Sequence, residues 1–190
     1  MIADRIKQAI AVKEAMLQNQ QMMDNIKKAS EALVTCYRQG NKALFCGNGG
    51  SAADAQHLAA ELSGKFYLDR PPIQAEACHV NSSFITAYSN DYHFEKAYER
   101  YVNSTGKTGD VLVAISTSGN SANIVNAAKA AQETGMLVIG MTGEDGGLLK
   151  NHSDILINIP SADTPRIQEA QILIGHIICE IVEQQLFGEE

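Results

Sequence analysis

The chain has 190 residues, 45% of them apolar and 19% charged, which suits one globular core, or one core with extra helices. Its net charge of −7, from 15 basic and 22 acidic residues, argues against a nucleic-acid backbone as a direct partner. No segment approaches the ~20 uninterrupted apolar residues of a membrane span, and Met1–Gln8 lacks the apolar stretch of a signal peptide, so the cytoplasm is the expected location.

In chain order, apolar positions at helical spacing (Ile6, Ile10, Val12, Ala15, Met16) predict a helix from about Ile2 to Met23. A second helix is expected over Ser30–Arg38, stopped near Gly40. Strand Ala43–Cys46 then leads to helix Ser51–Ser63. A strand near Gln74–Cys78 and short helices over Ser82–Tyr88 and Phe94–Thr105 follow. Strand Val111–Ile115 leads to helix Ala122–Thr134, which Gly135 ends. Strands Leu137–Met141 and Ile155–Ile159 flank a Gly-rich loop, and Pro165 opens a last helix to about Leu186. Alternating strands and helices, with continuous apolar strands, predict an α/β three-layer sandwich around a central parallel sheet, plus N-terminal helices. The chain reads as one domain over residues 1–190, with residues 1–40 as a helical extension. Cys36, Cys46, Cys78 and Cys179 form no C-x-x-C pair and read as buried thiols of a reducing compartment.

Two strand–helix junctions stand out. The first is Cys46-Gly47-Asn48-Gly49-Gly50-Ser51; the second is Ser116-Thr117-Ser118-Gly119-Asn120-Ser121. Free N–H groups at a helix N-terminus attract an anion, and hydroxyls can ring a phosphate without a cationic side chain. In a parallel sheet both turns lie outside the carboxyl ends of the strands, where ligands bind. A phosphorylated small molecule is the expected ligand. The plainer alternative is that one serine caps the following helix and the rest fill a loop. Neither G-x-G-x-x-G nor G-x-x-x-x-G-K-[ST] occurs, which argues against a dinucleotide site and a P-loop.

His57 and Glu61 stand four residues apart on one helix, so both face the same way and can share a divalent ion. Read alone, such a pair is more often a surface His–Glu pair than a metal site. Gln168 and His176 stand eight residues apart on the last helix, roughly 80° around its axis, and both can lean into one cleft. His176 lies within an apolar run, where a core histidine is the alternative. His79, His93 and His152 have no partner at ligand spacing.

Taken together, Cys46–His57 with Ala60-Glu61-Leu62, then Asn90-Asp91, Ser116–Ser121 and Arg166–Glu169, resemble the phosphoheptose isomerases of the sugar isomerase (SIS) family. The likeness runs in order over nearly the whole chain. It implies the SIS fold and conversion of sedoheptulose 7-phosphate to glycero-manno-heptose 7-phosphate. That reaction is the first step toward activated heptose for lipopolysaccharide or capsule. It also implies a cytoplasmic homotetramer with one Zn²⁺ per subunit. By motif, His57, Glu61, Gln168 and His176 match metal ligands. Ser116, Thr117, Ser118 and Ser121 match the phosphate turn, with Ser51 beside it. Asn48, Gly49, Gly50, Asn90 and Asp91, with Glu61 and Gln168, match substrate contacts. For an enediol route, Glu61 is the expected base and His176 the expected acid.

Lys65 stands where many relatives have arginine and lacks its fork of donors. Gln171 stands where relatives often have histidine. The main alternative is a non-enzymatic SIS regulator of a replication initiator, which would not need Glu61 and His176. A third reading is an isomerase for another sugar phosphate, such as an arabinose or hexose phosphate. Apolar residues of the last helix (Ile172, Leu173, Ile177, Ile178, Ile181, Val182), with the long first helix, exceed what one sheet needs and predict packing between subunits.

Overall fold

A computed structural model describes residues 1–188. Among them are five strands and seven α-helices: α1 (Ile2–Leu17), α2 (Gln20–Arg38), β1 (Ala43–Cys46), α3 (Gly50–Ser63), β2 (Ala75–Ala77), α4 (Ser82–Asp91), α5 (Ala97–Thr105), β3 (Val111–Ile115), α6 (Ala122–Thr134), β4 (Leu137–Thr142), β5 (Ile155–Asn158) and α7 (Thr164–Phe187). Short 3₁₀ turns occupy Phe94–Lys96 and Leu149–His152. No described helix is long and apolar enough to cross a membrane.

All strand pairs are parallel, in the order β2-β1-β3-β4-β5. The chain runs outward from β1 to β2, then returns to place β3 on the other side of β1. Cys46 pairs with Ala114, so β1 and β3 end side by side. This reversal opens a crevice at the carboxyl edge of the sheet.

Both sheet faces are covered. Ala43, Phe45, Val111 and Val113 pack into one core with α2, α3 and α7. Leu44, Cys46, Leu112 and Ala114 pack into the other with α5 and α6. The alternation of side chains sends successive residues of one strand into different layers, and so the strands read as unbroken apolar runs.

The expected single helix over Ile2–Met23 is two helices. Asn19 accepts a hydrogen bond from Met22 N at 3.0 Å and starts α2 afresh. That cap extends α2 back from Ser30 to Gln20. Ile2, Ile6 and Ile10 of α1 stay exposed, and Met16 is the buried residue of that helix.

Candidate active site and metal centre

The turn after β1 is shaped by backbone constraints. Gly49 sits at φ 55°, ψ −119°, a conformation open to glycine, and forms the N-terminal boundary of α3. Tyr98 Oη on α5 donates to the Gly47 carbonyl at 2.8 Å and holds the turn from below. A Cβ on Gly50 would lie 2.6 Å from Gln168 Nε2, so glycine lets the Gln168 amide rest on the start of α3. Ser51 is buried beside it.

The turn after β3 presents its hydroxyls to one another and to the opening. Ser116 Oγ donates to Ser121 Oγ at 3.2 Å, and Ser118 Oγ accepts from Asn120 N at 3.1 Å. Ser121 occupies the N-cap of α6, yet its side chain makes no capping bond. The plain capping alternative therefore fails. Among the described residues, the N–H groups of Thr117, Ser118 and Ser121 take no protein acceptor. Together with the first turn of α6 they leave donors for an anion. Asn48 and Asn123 bond reciprocally at 2.8 Å and tie this turn to the one after β1. Asn123 is a residue that sequence reasoning missed, since nothing local distinguishes it from helix surface.

A cavity of about 250 Å³ opens on the β4–β5 side of the hydroxyl turn, between Thr117, Ser118, Glu144, Asp145, Ser161 and Thr164. Its acidic wall disfavours a phosphate and suits hydroxyl groups. The phosphate position is thus better matched by the turn and the start of α6 than by the cavity itself.

On the other side of the crevice, α3 and α7 bring three expected ligands together. Glu61 Oε1 lies 3.0 Å from His57 Nε2, and His176 Nε2 lies 3.4 Å from the same nitrogen. One ligand atom from each of His57, Glu61 and His176 lies within 4.8 Å of the others. Two imidazole nitrogens bound tetrahedrally to zinc at ~2.0–2.1 Å would lie roughly 3.4 Å apart. The nitrogen–nitrogen–oxygen set and this spacing fit a zinc-like cation. Gln168, on the same helix as His176, rests its amide against Gly50 at the start of α3.

A second acidic group lies on the same helix as His57 and Glu61. Asp54, one turn before His57 on α3, has a buried Oδ2 with no hydrogen-bond partner. Burial raises its carboxyl above the ordinary range, while His57 and His176 pull it down. The Asp54 carboxyl adds a buried acidic oxygen to the helix face that carries His57, outside the His57–Glu61–His176 group itself. Its i, i+3 spacing to His57 was the available signal. Phe66 closes the far side, with its ring centroid 5.8 Å from that of His176.

Asn90 and Asp91 are not joined to either turn by a hydrogen bond among the described residues. They stand exposed at the end of α4, where Asn90 Nδ2 donates to Asp91 Oδ1 at 3.0 Å. Lys65 is exposed at the end of α3. Gln171 is buried in the fold, with neither amide atom partnered.

The chain matches the SIS domain family over residues 6–143. It is 51% identical over 189 residues to a phosphoheptose isomerase of Clostridium acetobutylicum, which covers 100% of this chain and 96% of that protein. It is 49% identical over 181 residues to one of Mycobacterium tuberculosis, covering 95% and 92% respectively. Its fold is similar to the solved phosphoheptose isomerase of Neisseria gonorrhoeae, with a TM-score of 0.90 at 40% identity over 96% of this chain and 97% of that one. The enzyme of Francisella tularensis gives 0.92 at 36% identity over 96% of each.

Proposed function

The chain belongs to the phosphoheptose isomerases of the SIS domain family, and we propose that it interconverts sedoheptulose 7-phosphate and glycero-manno-heptose 7-phosphate. Two features support the reading: a donor-rich turn after β3, and a cluster that joins Glu61 and His176 from α3 and α7. The turn is Ser116–Ser121 with the start of α6; the cluster is His57, Glu61 and His176.

The phosphate sits against Ser116, Thr117, Ser118 and Ser121, with Ser51 alongside. Asn48, Gly49, Gly50 and Gln168 line the path toward α3, and Asn90 and Asp91 contact the sugar. Glu61 takes the proton from C1 of the ketose, and the C–H electrons form the C1=C2 bond of an enediol as oxygen O2 gains a proton from His176. Glu61 returns the proton to C2 while His176 takes the O1 proton and the O1–H electrons form the C1=O1 bond, which yields the aldose and restores both side chains. Glu61 Oε1 faces His57, which leaves Oε2 for the substrate carbon. His57, Glu61, Gln168 and His176 are the proposed ligands of one zinc ion per subunit. When bound, such an ion supplies Lewis acidity toward developing charge on a substrate oxygen.

The proposed assembly is a cytoplasmic homotetramer, a single SIS domain with residues 1–40 as its helical extension. The exposed Ile2, Ile6 and Ile10 on α1 and Ile177 on α7 support self-association. The heptose product would feed activated-heptose synthesis for lipopolysaccharide or capsule. The test is incubation of purified protein with sedoheptulose 7-phosphate and detection of aldoheptose 7-phosphate.

A further inference from the structure

We propose that Arg70 and Glu183 are positioning residues that splint α3 to α7 and thereby hold Glu61 and His176 at their working separation. The proposal rests on the isomerase reading for its kinetic consequence, but its metal-binding consequence stands apart from turnover.

Glu61 and His176 come from different helices, and a cation or substrate shared between them requires those helices to keep a fixed offset. Two turns beyond His176, α7 carries Glu183, which is fully buried. Its carboxylate accepts from the N–H groups of Phe66 at 2.9 Å, Tyr67 at 2.6 Å and Leu68 at 2.9 Å. It also accepts from Arg70 Nε at 2.9 Å. The segment that follows α3 is thus wrapped around one carboxylate of α7.

The same guanidinium reaches back into α3. Arg70 Nη2 donates to the main-chain carbonyl of Glu61 at 3.0 Å, and Nη1 donates to those of Gly64 and Pro71 at 3.1 Å. One side chain therefore touches the backbone of the proposed base and the carboxylate of the helix that carries the proposed acid. The wrapped segment also sets Phe66 against the His176 ring. Each of the two residues is held from its own direction: Glu61 through its carbonyl, His176 through the neighbouring Phe66 ring.

A buried ion pair is weak evidence of stabilisation, because desolvation offsets much of the attraction. What distinguishes this pair is direction. The rigid guanidinium fork fixes four carbonyl or carboxylate partners at once, and lysine cannot reproduce that. Close approach of α7 to α3 is also built in at Gly175, where a Cβ would lie 2.5 Å from Leu58 Cδ1. The splint lies one to two turns from that contact and sets the angle at which it closes.

The experiment uses the full chain with Arg70→Lys, and Glu183→Gln as the second variant. Folding is checked by circular dichroism and thermal melting. Zinc binding to chelator-stripped protein is measured by titration calorimetry, and kcat and KM are measured separately on zinc-loaded protein. The expected result for Arg70→Lys is a folded protein with unchanged KM, lowered kcat, and zinc affinity weakened about tenfold or more, as for residues that orient metal ligands. Wild-type zinc affinity and kcat in a variant with a lowered melting temperature would overturn the proposal and leave the pair a purely structural one. If wild-type protein proves inactive on the heptose phosphate, the isomerase reading fails, while the zinc titration still decides whether the splint holds the ligand group.

Discussion

Asn48 and Asn123 exchange two hydrogen bonds, each 2.8 Å long, between the turn after β1 and the first turn of α6. Asn123 is buried and its Oδ1 also accepts from Ile124 N at 3.1 Å. The two turns that would hold different parts of one substrate are thereby kept in register. Loss of the pair is expected to raise KM. At ~0.5–1.5 kcal/mol per hydrogen bond, Asn123→Ala should raise it roughly tenfold. In an Asn48→Ala background the same change should add little, because contacting residues are not additive. Steady-state kinetics on the two single variants and the double variant check this, and independent, additive losses would contradict it.

Ser118 offers its hydroxyl beside the unpaired N–H groups of the Ser116–Ser121 turn, the proposed phosphate site. Ser118→Ala is expected to weaken substrate binding, read as a raised KM with kcat little changed. A loss confined to kcat would argue against a phosphate-holding role.

Glu61 faces His57 and is one-quarter exposed. Glu61→Gln keeps its shape and removes its basicity. Turnover should vanish while circular dichroism stays native. Normal turnover in that variant would refute the assignment of the base.

The Glu183 carboxyl ordinarily titrates near 4.5. Burial opposes its charge, but the N–H groups of Leu68, Phe66 and Tyr67 and the Arg70 guanidinium overcome this and hold it lower in the fold. A depressed folded value means that its stabilisation is complete above the unfolded value and is lost as pH falls through the folded one. Thermal melts from neutral pH down through pH 4.5 should show a steeper loss for the native chain than for Glu183→Gln. Parallel curves would show that the carboxylate is not stabilised as described.

Cys36, Cys46, Cys78 and Cys179 are all free and buried. Burial pushes the Cys46 and Cys179 thiols up to about 12 and Cys36 to about 11, and raises Cys78 well above its ordinary value. Thiolate is the reactive form, so native protein at neutral pH should resist alkylation and all four should label after unfolding. Rapid labelling of the native chain would contradict this burial.

Legibility in the sequence followed locality. Val111–Ile115 reads as a strand because its apolar run is unbroken, and α6 reads to its end because Gly135 takes φ 82° there. The Asn19 cap was hidden inside continuous helical periodicity. His57 and Glu61 were visible at their spacing, because one helix sets it. The approach of His176 to them depends on α3–α7 packing over Gly175, which no local pattern records. Arg70 and Glu183 lie 113 positions apart, so no local pattern links them. Gln171, where relatives often have histidine, is a buried amide with neither polar atom partnered, a state that depends on packing and not on local sequence.

The most direct test of the central claim is an isomerase assay on sedoheptulose 7-phosphate, run before chelation, after complete metal removal, and after zinc is restored. The account expects aldoheptose 7-phosphate from the first sample, none from the stripped sample, and recovery with one zinc per subunit. No turnover by a folded, zinc-loaded chain would contradict it.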